Sequence, residues 1–194
     1  MSLKERVYSI LVVSSAENFN TVLSTLLPES KFAPVTVVSS VSAAKRLLVD
    51  RDFDLVIINA PLPDDMGIHF AIDTCASRQS IVLILVKSDI QAGIFDKVVP
   101  YGVFTLPKPT SKATLTQAFQ WMISARERLR RSEKKTSSIE EKMKEIRTVN
   151  HAKWILISEL KMNEEEAHKY IEKQAMDNCI SRKDIAEQII KNYS

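Results

Sequence analysis

The chain has 194 residues, of which 45% are apolar and 26% charged, as in an ordinary globular protein. No apolar run approaches the roughly 18 residues that a membrane-spanning helix needs. Met1–Arg6 lacks the apolar core of a signal peptide, so we expect a cytoplasmic protein without a membrane partner. The two cysteines, Cys75 and Cys179, show no metal-ligand spacing, which predicts reduced thiols and no metal.

Charge, glycine and proline all divide the chain. Residues 1–120 carry 11 Lys/Arg and 11 Asp/Glu, whereas residues 121–194 carry 16 and 13, so the net charge of +3 lies in the C-terminal part. A polyanion would bind there if it binds at all. All three glycines and all seven prolines fall before residue 110. The last 85 residues therefore contain no strong helix breaker, and we expect them to be helical.

The N-terminal part alternates short β-branched runs with amphipathic stretches. The predicted strands are Tyr8–Val13, Val35–Val38, Leu55–Ile58, Ile81–Val86 and Val103–Leu106. The predicted helices are Ala16–Leu27, Val41–Asp50, Ile68–Ser77 and Ile90–Val98. This order predicts an α/β domain with a flavodoxin-like, five-stranded, parallel, doubly wound sheet.

The C-terminal part predicts a long joining helix and an all-α bundle of three helices. Leu115, Met122 and Leu129 repeat every seven residues, which predicts a homodimer through this helix, although Arg126 stands where an apolar residue would be preferred. A break is expected at Thr136–Ser138, where Ser138 with Glu141 could cap a helix from Ile139 to Leu160. The helix periodicity predicts buried faces formed by Val149, Ala152, Leu156, Leu160, Ala167, Ile171, Ala175, Ile185, Ala186 and Ile189. Capping boxes at Asn163/Glu166 and Ser181/Asp184 predict the last two helices.

Residues 6–125 resemble a response-regulator receiver domain. The resemblance is carried by Ser9–Val13, by Asp54–Asn59 with Pro61, Pro63 and Gly67, and by Phe104–Pro109. It implies an invariant lysine at Lys108, followed by a cis peptide bond to Pro109. The last helix of this domain is expected to continue as a linker to about residue 137.

The groups that perform the family's chemistry are replaced. The family binds Mg²⁺ with two acidic residues where this chain has Ser14 and Ser15, and its phosphoacceptor aspartate is replaced by Asn59. Lys87 stands at the Thr/Ser position, so only Lys108 remains. Because Mg²⁺ needs anionic oxygens and an acyl phosphate needs a carboxylate nucleophile, we expect no phosphorylation by this route.

The sequence leaves two questions open about the loop that follows the third predicted strand. Asp64 and Asp65 either compensate for the missing carboxylates or form a solvated turn before Gly67. Lys108 either pairs with one of them or is retained for folding.

Residues 138–194 resemble an ANTAR domain, named after the AmiR and NasR transcription antitermination regulators. The residues that carry the resemblance are Val149, Ala152-Lys153, Leu156, Glu166-Ala167, Ile171, Ala175-Met176, Ile185-Ala186 and Ile189. The resemblance implies binding to paired stem-loops of nascent mRNA. The candidate RNA contacts are His151, Lys153, Lys169, Tyr170, Lys173, Arg182 and Lys183, each of which could instead be solvated or packed. Tyr170 and Trp154 are expected to belong partly to the core and not to act as stacking platforms.

The sequence therefore predicts a regulator that binds RNA. The alternative is a protein-interaction module in which the receiver-like domain docks a regulatory partner and RNA binding is weak or absent. No Gly-rich phosphate loop or nucleophile–base motif supports an enzyme, and no cofactor is implied.

Overall fold

The computed structural model describes residues 6–78 and 80–193. Met1–Glu5, on which the expectation of no signal peptide mainly rests, lie outside the described residues. A compact N-terminal unit ends at Arg130, and a second unit begins at Arg131. Within the described ranges, we find no helix that is both long and apolar enough to cross a bilayer.

The N-terminal unit is built on five strands, β1 (Tyr8–Val13), β2 (Phe32–Val38), β3 (Leu55–Asn59), β4 (Ile81–Lys87) and β5 (Phe104–Lys108). They form one parallel sheet in the order β2-β1-β3-β4-β5. This order confirms the flavodoxin-like prediction. The three central strands are buried along nearly their whole length, which explains why their sequences are continuous apolar runs.

Four helices alternate with the strands, namely α1 (Glu17–Leu26), α2 (Val41–Asp50), α3 (Ile68–Ser77) and α4 (Ser88–Val98). A short 3₁₀ turn (Val99–Tyr101) precedes β5. Gly67 precedes α3 with φ +75°, and a Cβ there would lie 2.8 Å from the Ile58 side chain. This position therefore requires glycine. The peptide bond from Lys108 to Pro109 is cis, as the resemblance implies.

The remaining helices are α5 (Lys112–Leu160), α6 (Glu164–Asn178) and α7 (Arg182–Tyr193). Helix α5 is continuous, so the predicted break at Thr136–Ser138 is wrong. The hydroxyl of Thr136 donates to the Ser132 carbonyl at 3.1 Å, and that of Ser137 to the Lys134 carbonyl at 3.2 Å. These side chains bond within the helix instead of capping a new one, and no glycine or proline interrupts it.

The start of α5 packs against the sheet. Leu115 and Met122 are buried in the same apolar cluster as Ile10, Leu23 and Leu83, and Leu129 is partly buried against it. The heptad of Leu115, Met122 and Leu129 is therefore part of the domain's own core. Its predicted role as a dimer seam is wrong, because these side chains are already covered by their own chain.

The second unit packs the end of α5 with α6 and α7 around a small core. Its buried residues are Ala152, Leu156, Ala167, Ile171, Ala175, Ile185, Ala186 and Ile189, all of which the helix periodicity predicted. Leu160, also predicted to be buried, is 45% exposed. Both capping boxes form: Asn163 exchanges hydrogen bonds with Glu166, and Ser181 does so with Asp184.

Candidate functional site

The ends of β1, β3 and β5 bring Ser14, Asn59 and Lys108 together. Asn59 donates from Nδ2 to the Ser14 hydroxyl at 3.1 Å and accepts at Oδ1 from Lys108 Nζ at 2.8 Å. Lys108 Nζ also donates to the carbonyl of Ala60. Ser14 and Asn59 are almost completely buried. The amide of Asn59 is therefore held on both sides, by a hydroxyl and by an ammonium group.

Two lysines dominate the charge of this site. Lys87 and Lys108 are register partners on the adjacent strands β4 and β5. Burial lowers the pKa of the Lys108 ammonium below its ordinary value, and the positive charge of Lys87 lowers this pKa further. Lys87 and Ser15 are exposed, and neither side chain has a hydrogen bond or ion pair with another described residue.

The two aspartates of the following loop are engaged elsewhere. Asp64 accepts hydrogen bonds from the backbone N–H groups of Ser42 (2.9 Å) and Val41 (3.0 Å), at the start of α2. These bonds hold the pKa of Asp64 below its usual value. Asp65 accepts from the Gly67 N–H at 2.5 Å, within its own turn. The carboxylates thus cap a helix and close a turn, and neither contacts Lys108.

This arrangement has consequences for the chemistry of the site. Nowhere in residues 6–78 and 80–193 do three or more His, Cys, Asp or Glu side chains lie close enough to hold a metal ion. The site thus offers two hydroxyls, an amide and two ammonium groups. It can donate hydrogen bonds to an anion, and it presents no carboxylate nucleophile.

At the opposite end of the strands, Asp54 anchors α5 to the sheet. Its carboxylate accepts from Arg126 Nε and Arg130 Nη2, both at 2.9 Å, and from the Ser9 N–H at 3.1 Å. Burial raises the pKa of Asp54, but the Arg126 and Ser9 hydrogen bonds and the two arginine charges outweigh burial, so this pKa lies below its ordinary value. Arg126 interrupts the apolar spacing of α5 because it forms this ion pair.

The candidate RNA contacts of the second unit are mostly engaged in ion pairs within the unit. Lys153 pairs with Glu164 at 3.1 Å, Lys169 with Glu165 at 2.6 Å, Arg182 with Glu172 at 3.3 Å, and Lys183 with Glu187 at 3.7 Å. Lys153 is mostly covered, with 16% of its side chain exposed. Lys173 is exposed and has no ion pair with any residue that the structure describes. Tyr170 is 38% exposed.

One exposed face of α5 lies opposite the buried Ala152 and Leu156. It is formed by Arg147, His151, Trp154 and Ser158, which follow one another at intervals of three or four residues. Trp154 is 72% exposed, so the expectation that it belongs to the core is wrong. We call this surface the Trp154 face. The sequence could have predicted this face, because Trp154 is two residues from Ala152 and therefore points to the opposite side of the helix.

Comparison with known proteins agrees with this architecture. The family model of the ANTAR domain matches residues 137–190. A transcriptional regulatory protein of Mycobacterium tuberculosis strain H37Rv, PdtaR, is 26% identical over 139 residues, which are 71% of this chain and 67% of the relative.

Two solved structures share the fold of the N-terminal unit. The signal receiver domain of an HD domain-containing protein from Pseudomonas fluorescens Pf-5 is 24% identical with a TM-score of 0.58, over 68% of this chain and 96% of that one. A structure described as adenylate cyclase from Rhodopirellula baltica is 19% identical with a TM-score of 0.59, over 68% and 98%. The N-terminal unit thus has the fold of these solved structures, one of which is a receiver domain, and residues 137–190 of the chain match the ANTAR domain.

Proposed function

We propose that this chain is a cytoplasmic transcription antitermination regulator whose helical unit binds stem-loops in nascent mRNA. The match to the ANTAR domain and the similarity to a transcriptional regulatory protein support the proposal. We assign the receiver-like domain to residues 6–125, the linker to the part of α5 that follows as far as about residue 137, and the RNA-binding bundle to 138–194.

The observation that carries the proposal is the exposure of Trp154. An indole that is 72% exposed contributes little to the stability of the fold, and it offers a flat apolar surface to solvent. Unpaired bases of an RNA loop stack on such side chains, while neighbouring cations contact phosphates. Arg147 and His151 lie on the same face, two turns and one turn of the helix from Trp154, respectively. The Trp154 face therefore combines stacking, charge and hydrogen bonding.

The test is binding of the full chain to a leader RNA with two paired hairpins, measured by fluorescence anisotropy. If about three cations contact phosphates, the affinity should fall roughly 20-fold or more between 50 and 200 mM salt. A scrambled RNA of equal length and hairpin content is the control. Equal affinity for both RNAs would refute specific stem-loop binding.

We also propose that the receiver domain is not switched by an aspartyl phosphate. Asn59 is held between Ser14 and Lys108, and it has no carboxylate oxygen with which to attack a phosphodonor. Incubation with a small phosphodonor and Mg²⁺, followed by intact-mass measurement, should show no added phosphoryl group. An adduct that maps to the Asn59 region would contradict this proposal.

A second candidate function has one observation in its favour. Four of the five cations considered for RNA contact are paired with glutamates of their own unit, so fewer charges remain for phosphates. In that case the receiver-like domain would dock a regulatory protein, and RNA binding would be weak. Exposed ion pairs of this kind contribute only about 0–1 kcal/mol and exchange readily for phosphate contacts, which is why we favour RNA.

A homodimer would present two such units to the paired hairpins. Ile139, Met143 and Ile146 are 60%, 48% and 54% exposed, and they follow the 4–3 spacing of a coiled-coil seam. In a parallel pair of α5 helices, Arg128 would face Glu133 and Lys135 would face Glu140 of the second copy. Lys142 would face Arg147, which weakens the pairing. We therefore propose a modest parallel dimer through this seam and not through Leu115 and Met122.

The dimer predicts a concentration-dependent mass in sedimentation experiments. Met143→Glu should weaken association at least 10-fold, because it places two carboxylates against each other in the seam. Ser138→Glu adds the same charge outside the seam, where it should have little effect. Equal effects of both substitutions, or a monomer at every concentration, would rule out this seam.

A further inference from the structure

The site at the ends of β3, β4 and β5 carries two lysines, with neutral Asn59 beside them. Lys87 and Lys108 are register partners on neighbouring parallel strands, where backbones lie about 4.8 Å apart. Burial, and after it the positive charge of Lys87, lowers the pKa of the Lys108 ammonium, as expected for side chains that project from paired positions of adjacent strands. Among the described residues, no carboxylate forms an ion pair with either of them. Two like charges thus lie on paired positions of adjacent strands, with no carboxylate partner in the part of the chain that the structure describes.

The donors of this site remain partly unused. Lys108 Nζ donates two of its three N–H groups to the Asn59 and Ala60 oxygens, so one donor remains. The three donors of Lys87 and the hydroxyl of Ser15 have no hydrogen-bond acceptor elsewhere in the described chain. Five donors and two positive charges therefore lie at this end of the sheet, and Asp64 and Asp65 form no ion pair with either lysine, because they bind backbone N–H groups.

We propose that the lysine pair, Lys87 with Lys108, binds a small tetrahedral oxyanion, namely inorganic phosphate or a phosphomonoester, without covalent attachment and without Mg²⁺. A phosphate dianion carries two negative charges and enough acceptors for all five donors. It offsets the mutual repulsion of the lysines, which a neutral ligand cannot do. Such a ligand would give the receiver domain a chemical input of its own, independently of whether the helical unit binds RNA.

The full chain is titrated with inorganic phosphate, and potassium chloride of equal ionic strength serves as the control. EDTA is present in both titrations to remove Mg²⁺. Backbone amide NMR signals of residues 59–60, 87–89 and 108 should shift with a single dissociation constant. Glycerol phosphate in a parallel titration distinguishes a phosphomonoester from the free ion: the tighter of the two identifies the ligand class. Intact mass after removal of the phosphate should be unchanged, which separates this site from covalent phosphorylation.

Three variants decide the assignment. Lys87→Gln should weaken the binding of phosphate roughly 5- to 30-fold, as expected for the loss of one positive charge roughly 4 Å from a monoanion or a dianion in a water-like medium. Asn59→Asp should weaken it at least as much, because the new carboxylate pairs with Lys108 and repels the anion. Lys97→Gln removes an equal charge from the far end of α4 and should change the affinity less than 1.5-fold.

Three results would overturn the proposal. The first is equal weakening by Lys87→Gln and Lys97→Gln, and the second is a requirement for Mg²⁺. The third is a set of shifts confined to other lysines. Because Lys87 is exposed, its substitution should leave the fold intact, and the unchanged positions of the core amide signals verify this in the same spectra.

Discussion

Truncation of Trp154 separates RNA recognition from stability. The side chain is 72% exposed, so Trp154→Ala removes little buried area, and we expect a change of less than about 0.5 kcal/mol in the free energy of unfolding. Stacking of one base on an aromatic ring contributes about 1–3 kcal/mol. The dissociation constant for the paired-hairpin RNA should therefore rise roughly 5- to 150-fold, as measured by fluorescence anisotropy at fixed salt.

The chain contains its own matched control. Trp121, the other tryptophan, is 52% exposed on the part of α5 that packs on the sheet. Trp121→Ala should leave RNA affinity unchanged. In a Trp121→Phe background the fluorescence reports Trp154 alone, and stacking should quench it on addition of RNA. Unaltered affinity in Trp154→Ala, or a loss of equal size in both alanine variants, would refute the stacking argument.

Two further predictions concern ion pairs. Asp54→Asn should destabilise the receiver domain by about 2–3 kcal/mol at pH 7, because Arg126 and Arg130 lose their charged acceptor. The pKa of Asp54 in the folded protein lies below its ordinary value of 3.8, so the difference in stability between Asp54→Asn and the natural chain should be complete above pH 3.8 and vanish as the pH falls through the folded pKa. Urea unfolding followed by Trp121 fluorescence in a Trp154→Phe background measures this difference. A difference that stays constant from pH 7 to 2.5 would count against the ion pairs of Asp54. Glu164→Gln should tighten RNA binding about 2- to 5-fold, because it releases Lys153 from its ion pair. Glu159→Gln is the control, since it removes the same charge without releasing a lysine. Equal gains in RNA affinity from both substitutions would mean that Lys153 contacts no phosphate.

The fold followed from the sequence because its determinants are local. Buried parallel strands such as Leu55–Asn59 need continuous apolar runs, and helices need apolar residues at intervals of three or four. The last two helices were equally predictable, since their capping boxes at Asn163 and Ser181 are formed by residues three positions apart. The predicted break at Thr136–Ser138 failed because the same hydroxyls that cap helices can also bond to carbonyls one turn earlier. Propensity does not decide between these two bonds.

The candidate sites were less predictable because they depend on contacts distant in sequence. The seven-residue repeat of Leu115, Met122 and Leu129 is the same for a dimer seam and for a helix that packs on its own sheet. Only the position of α5 against β1 and β4 decides, and it places these residues in the core. Arg126 illustrates the same point, since its partner Asp54 lies 72 residues away. The pairing of Lys153 with Glu164 likewise crosses between two helices.

Ser14, Ser15, Asn59 and Lys87 are best interpreted together. A carboxylate at position 59 alone would not rebuild the family's Mg²⁺ site, because Ser14 and Ser15 bring no negative charge and Lys87 adds a positive one. Conversely, Asn59 suits the present surroundings: its amide donates to Ser14 and accepts from Lys108, which a carboxylate without a proton cannot do at both ends. With Asp64 and Asp65 bound to backbone N–H groups, the remaining free donors all belong to cations and hydroxyls. On our proposal, the pocket has therefore exchanged a bound cation for a bound anion, while the scaffold that positions its residues is the same.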